Sequence, residues 1–90
     1  MNFIKEFVEY LELEKNDSKY TIQNYQLDLE AFLKYCENNH IDYLKISYIQ
    51  ARGYLNYLYN EKCAKASSVS RKISCVRSFY RFLANDNIEN

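Results

Sequence analysis

A chain of 90 residues with 48% hydrophobic content is sized for one core and is not compositionally disordered, and no apolar run approaches the roughly 20 residues that span a bilayer. Twelve basic and twelve acidic residues cancel, but unevenly: six basic residues stand against ten acidic ones in 1–61, whereas 62–85 holds six cations and no acid. One glycine, no proline and three scattered cysteines exclude a hairpin-rich β fold, a glycine-rich phosphate loop and a disulfide framework.

The N-terminus, Met1-Asn2-Phe3-Ile4-Lys5-Glu6, alternates charge with apolar residues and lacks the apolar block and cleavage site of a secretory signal. The expectation is a soluble, cytoplasmic, single-domain protein spanning 1–90, with no membrane contact and with Cys36, Cys63 and Cys75 reduced and half-buried. Periodicity predicts four helices. The first runs over about 2–15, with Ile4, Phe7, Val8 and Leu11 on one face and Glu6, Glu9, Glu12 and Glu14 mostly on the others. Asn16-Asp17-Ser18 then offers acceptors for the free N–H groups of a second helix over about 18–38. Its stripe is Ile22, Tyr25, Leu29, Phe32, Leu33 and Cys36. Asn38-Asn39-His40 ends it, because Asn tolerates a left-handed backbone.

Ser47-Tyr48-Ile49-Gln50 matches a capping box and opens a third helix over about 47–60, with Tyr48, Ala51, Leu55 and Leu58 inward and Tyr54 beside them. Gly53 inside that helix costs about 1 kcal/mol relative to alanine, which close helix packing would offset. After the polar connection 61–66, Ser67 or Ser68 is expected to cap a fourth helix over about 67–85 that buries Val69, Ile73, Val76, Tyr80 and Leu83. The fold class is therefore all-α, a compact bundle of four helices.

Opposite the buried stripe of the fourth helix, Ser67, Ser70, Arg71, Ser74, Arg77, Ser78 and Arg81 fall on one broad arc. Arginines reach phosphates or the O6/N7 edge of guanine, and short serines bond phosphate oxygens while letting the helix axis approach a groove. A solvated basic face gives the same pattern, so composition alone leaves both readings open.

The run Ser67-Ser68-Val69-Ser70-Arg71-Lys72-Ile73-Ser74-Cys75-Val76-Arg77-Ser78-Phe79-Tyr80-Arg81-Phe82-Leu83 closely resembles the last long helix of the N-terminal core-binding domain of tyrosine recombinases, the phage integrase and Xer-like family. Ser18-Lys19-Tyr20-Thr21, Tyr25, Asp28-Leu29 and Phe32-Leu33 resemble its second helix. The resemblance spans almost the whole chain. It implies a SAM-like bundle that clamps double-stranded DNA together with a C-terminal catalytic domain of the same protein, two of its helices meeting the major groove. Carried over by motif, the candidate contacts are Lys19, Thr21, Asn24, Lys65, Ser67, Ser70, Arg71, Ser74 and Arg77. Arg77 has a structural alternative, an ion pair with a carboxylate such as Asp28. The resemblance further implies contacts with neighbouring protomers, for which the acidic first helix around Glu6 and Glu9 is the candidate surface.

The turn 61–66 departs from the family pattern in lacking a glycine, and the neutral net charge implies weak DNA binding by the domain alone. The family's catalytic set belongs to the other domain. A phenol with pKa near 10 needs cationic neighbours to attack phosphate, and Tyr25, Tyr48 and Tyr80 lie on predicted core stripes. Catalytic residues, cofactor and metal are thus all expected to be none: His40 is a single imidazole without convergent partners, and Cys63 lacks a Cys–His–acid arrangement. Tyr54, Tyr57 and Tyr59 read as rim packing. The rivals are a helical module that docks an acidic protein and a stand-alone helix-turn-helix regulator.

Overall fold

The computed structural model describes residues 3–85, which form α1 (Phe3–Leu13), α2 (Lys19–Asn38), a 3₁₀ turn (Tyr43–Lys45), α3 (Tyr48–Asn60) and α4 (Ala66–Asn85). The four-helix expectation is borne out, with no strand among the described residues. The 3₁₀ turn is an addition to the four elements that periodicity predicts, and the expected start of the first helix at Asn2 lies outside the described residues.

Helix ends follow from local chemistry. Past α1, Asn16 takes φ 53° and the Asp17 N–H reaches back six residues to the Leu11 carbonyl at 3.1 Å, a closure that needs a left-handed residue between. Ser18 Oγ then accepts from the Thr21 N–H at 3.1 Å and caps α2. At the far end of α2 the left-handed residue is His40, φ 56°, rather than one of the two asparagines. Asp42 caps the 3₁₀ turn through the Leu44 N–H at 3.0 Å. The capping box of α3 forms as its spacing predicts: Gln50 N–H donates to Ser47 Oγ at 3.1 Å, and Ser47 N–H donates to Gln50 Oε1 at 2.9 Å. In the turn that lacks glycine, Cys63 adopts φ 49° and the Ala64 N–H closes onto the Leu58 carbonyl at 3.0 Å. A cysteine therefore fills the place where glycine costs least.

α4 begins one residue before both serines expected to cap it, so Ser67 and Ser68 lie in its first turn and Lys65 occupies the capping position. Its buried face is also turned from the predicted one. Val69, Cys75, Phe79, Phe82 and Leu83 are buried, while Ile73, Val76 and Tyr80 are half-buried. Three helices pack around α4, so its apolar surface spans a wider arc than a single stripe, and the aromatic residues at its centre displace the β-branched ones to the edge. In α3 the core is Tyr54 and Leu58, whereas Tyr48, at 74% exposure, and Ala51 face outward.

Rings knit the core. Phe7 meets Phe79 edge-on at 5.5 Å between centroids, and Phe32 meets Tyr54 at 4.9 Å. Among the described residues buried side-chain oxygens and nitrogens are satisfied: Tyr80 Oη donates to the Tyr43 carbonyl at 2.6 Å, and Cys75 Sγ donates to the Tyr25 carbonyl at 3.2 Å. Cys36 and Cys75 are fully buried rather than half-buried, and Cys63 is exposed. Among the described residues, no helix is long and apolar enough to cross a membrane.

Candidate nucleic-acid interface

α2 and α4 form the most extensive helix contact, and one buried carboxylate organises it. Asp28 falls on the apolar stripe of α2 and is 3% exposed. Arg71 grips it with a two-pronged fork, Nε to Oδ2 at 2.9 Å and Nη2 to Oδ1 at 3.1 Å, and Lys72 Nζ adds a third bond to Oδ1 at 3.0 Å. A carboxylate taken out of water is tolerated only when so paired. Hydrogen bonding to Asp28 holds the Arg71 guanidinium above its ordinary pKa against an opposing effect of burial, and the Asp28 negative charge adds to the upward push. The carboxylate assigned above to Arg77 as an alternative partner thus belongs to Arg71 and Lys72. Arg77 stands exposed, because it lies on the far side of α4 from α2.

Contacts run in opposite order along the two helices: Tyr25 meets Cys75, Asp28 meets Arg71, and Lys34 shares a cleft with Ser68. α2 and α4 therefore join through their middles, and their beginnings lie on either side of the Asp28 anchor.

Of the α4 arc, Ser67, Ser70, Ser74, Arg77 and Arg81 are exposed, and Arg71 and Ser78 sit half-buried at its α2 edge. Lys65, just before the helix, is exposed. This is a continuous strip of hydroxyls and cations with no acid on it. On α2, Thr21 and Asn24 lie within about 40° of Asp28 around the helix, on the side that meets α4, whereas Lys19 lies half a turn away. Lys19 lines a shallow depression with Glu12 and Asp17 beside α1. The Thr21 hydroxyl is 3.0 Å from Ser18 Oγ, and Asn24 Nδ2 donates to the Tyr20 carbonyl at 2.9 Å. The structure thus gathers the α4 set on one strip, brings Thr21 and Asn24 to the side of α2 that meets α4, next to the strip's Arg71–Ser78 edge rather than its exposed centre, and leaves Lys19 on another flank. Arg71 keeps only Nη1 unengaged by Asp28, so its fork is structural first.

Beyond Arg77 the strip borders an apolar cleft of about 520 Å³ between α3 and α4, floored by Ile46, Leu55 and Val76 and edged by Arg52, Arg77 and Arg81. Among the described residues no group of three or more His, Cys, Asp or Glu could hold a metal ion. The sequence reading missed the Asp28 anchor as an α4 contact of Arg71 and Lys72. Its signal was an acid placed within an otherwise apolar stripe, which demands a cationic partner from a neighbouring helix.

The model of the phage integrase N-terminal SAM-like domain matches residues 4–87. The chain belongs to that family. Similar proteins include the tyrosine recombinase XerC of Halalkalibacterium halodurans, 44% identical over 85 residues that cover 93% of this chain and 28% of that protein. XerC of Staphylococcus aureus is 42% identical over 93 residues, covering 100% of this chain and 31% of that protein. XerC of Leptospira interrogans is 37% identical over 84 residues, or 93% and 27%. This SAM-like integrase domain thus spans less than a third of the length of those relatives. No solved structure matches it.

Proposed function

We propose that this domain binds duplex DNA on behalf of a tyrosine recombinase, laying the exposed strip of α4 into the major groove with the start of α2 alongside. The observation that carries the reading is the acid-free arc of Ser67, Ser70, Ser74, Arg77 and Arg81, all solvent-exposed on one helix. Hydroxyls at that spacing bond phosphate and the arginines read groove edges. Lys65, Thr21 and Asn24 extend the contact set, Arg71 contributes through Nη1, and Lys19 reaches backbone phosphates from the flank.

On this reading residues 1–90 form one core-binding domain of a cytoplasmic recombinase, need no metal or cofactor, and supply grip rather than chemistry. Strand cleavage belongs to a C-terminal catalytic domain of the same protein. Two tyrosines fit that division of labour: desolvation pushes the hydroxyls of buried Tyr54 and half-buried Tyr80 well above their ordinary pKa, the opposite of what a nucleophile requires. The acidic, exposed Glu6 and Glu9 of α1 face neighbouring protomers on the DNA. One observation favours a rival: the arginine-edged apolar cleft suits an acidic amphipathic segment of another protein.

Fluorescence anisotropy with a labelled duplex at two salt concentrations separates the two. Binding should weaken with salt, and Ser70→Asp or Ser74→Asp should abolish it by placing a like charge against phosphate. Binding that ignores salt and both aspartates would end the DNA reading.

A further inference from the structure

A second cationic feature adjoins the α4 strip and shares Arg71 with it. Where the end of α3 and the start of α4 meet the far half of α2, a cleft of about 800 Å³ is lined by Lys34, Lys62, Arg71 and Lys72, with Ser68 and the Asn38 amide at its edge. Among the described residues two carboxylates engage these cations, Asp28 through Arg71 and Lys72, and Glu37, whose Oε1 is 3.9 Å from Lys34 Nζ. Four positive charges thus face two negative ones, and the cleft keeps a surplus of two.

The start of α4 adds to this. Serines cap α2 and α3, but Lys65 holds the equivalent place before α4, and an ammonium has no lone pair to offer the first-turn N–H groups. A helix start in that condition accepts an anion. Ser68, in that first turn, lines the cleft, and so does Ala64 of the preceding turn. Tyr35 and Tyr57 form one wall with ring centroids 4.8 Å apart, and Lys62 Nζ lies 5.9 Å from the Tyr57 centroid. The ring keeps the ammonium beside the opening.

We propose that this cleft is a phosphate-binding site, in which Lys34 and Lys62 supply charge and the α4 start supplies N–H donors. Lys72 and the Nε and Nη2 groups of Arg71 are already committed to Asp28 and add field rather than direct bonds to the cleft. The phosphate comes from the backbone of a bound duplex or from a free phosphorylated ligand. The first source rests on the DNA-binding reading and the second does not.

The test uses the whole chain, wild type and Lys34→Gln, Lys62→Gln and Lys62→Arg variants. The probes are inorganic pyrophosphate, followed by NMR, and a duplex, followed by anisotropy across a salt series. Both lysines are exposed, and the Lys34–Glu37 pair, at 71% and 76% exposure, contributes little to stability, so the fold is retained. Pyrophosphate should shift the amides of 62–68 saturably, and each glutamine should weaken that response while Lys62→Arg keeps it. Each glutamine should also lower the salt slope of duplex binding by about 0.9, and so weaken it about eightfold at 0.1 M relative to 1 M salt. Pyrophosphate binding with unaltered duplex affinity would assign the cleft to a free ligand. Pyrophosphate binding with no duplex binding at all would remove the DNA reading and leave the cleft standing. If neither probe responds to either glutamine, the cleft is not a phosphate site.

Discussion

The Asp28 anchor makes a graded prediction. Asp28 Oδ2 receives one bond, from Arg71 Nε, while Oδ1 receives two, from Arg71 Nη2 and Lys72 Nζ. Lys72→Met therefore leaves both oxygens bonded and should cost about 0.5–1.5 kcal/mol. Arg71→Met strips Oδ2 of its donor. Its side chain is 40% exposed, so water screens part of the loss, and about 1.5–3 kcal/mol is expected. The double variant strands a buried carboxylate with no cation, for about 3–5 kcal/mol, while converting Asp28 to Leu in that background should recover most of it. Urea titration followed by circular dichroism reads these values, provided the slope is constant across variants. A double variant within about 0.5 kcal/mol of Arg71→Met alone, or a reversed order of the single variants, would refute the reasoning.

Gly53→Ala should stabilise the domain by about 1 kcal/mol, because an added Cβ would meet only Tyr35 Oη at an ordinary 3.5 Å; a lower melting temperature would contradict this. Leu29→Ala, at a fully buried position, should cost about 2–5 kcal/mol, and Ile73→Ala, half-buried, clearly less in the same urea titration. Burial pushes Cys36 up to about 11 and Cys75 up to about 12 from 9.0. Both states hold these protons at lower pH. Above about pH 9 the unfolded chain releases them and the folded one does not, so stability should fall progressively from pH 9 towards 12. Buried Tyr54 and half-buried Tyr80 act in the same direction from 10.0, and a flat urea midpoint over pH 8–11 would contradict the assignment. Thiol titration of the native chain at pH 8 should modify one cysteine, Cys63.

Much of this fold was legible because its signals are local. The Ser47/Gln50 box, the Ser18 cap and the four apolar periodicities act within a few residues, and they placed the helices to within two residues or so. The rotation of α4 was not legible. Val69, Ile73, Val76 and Tyr80 make a regular stripe, but which side of a helix faces inward depends on how many neighbours surround it, and three helices surround α4. Tyr48 misled for a related reason: it continues the α3 periodicity into the first turn, beyond where α4 and α2 cover it. At the site, the exposed serine and arginine arc was readable from spacing on one helix. The division of roles between Arg71, tied to Asp28, and Arg77, standing in solvent, was not, because it depends on a contact across 43 positions of sequence. Lys34, Lys62 and the uncapped α4 start share a cleft only once the bundle is closed.

The α4 strip is the surface proposed to touch a duplex. The most direct measurement is an amide shift map of the labelled domain titrated with duplex DNA at low and at raised salt. Shifts are expected to concentrate at 65–78 of α4 and at 20–24 of α2 and to fade as salt rises, with Glu6 to Glu12 of α1 silent. Shifts confined to α1 or to the cleft around Tyr48 and Arg52, with Ser70, Ser74 and Arg77 unmoved, would contradict the proposal.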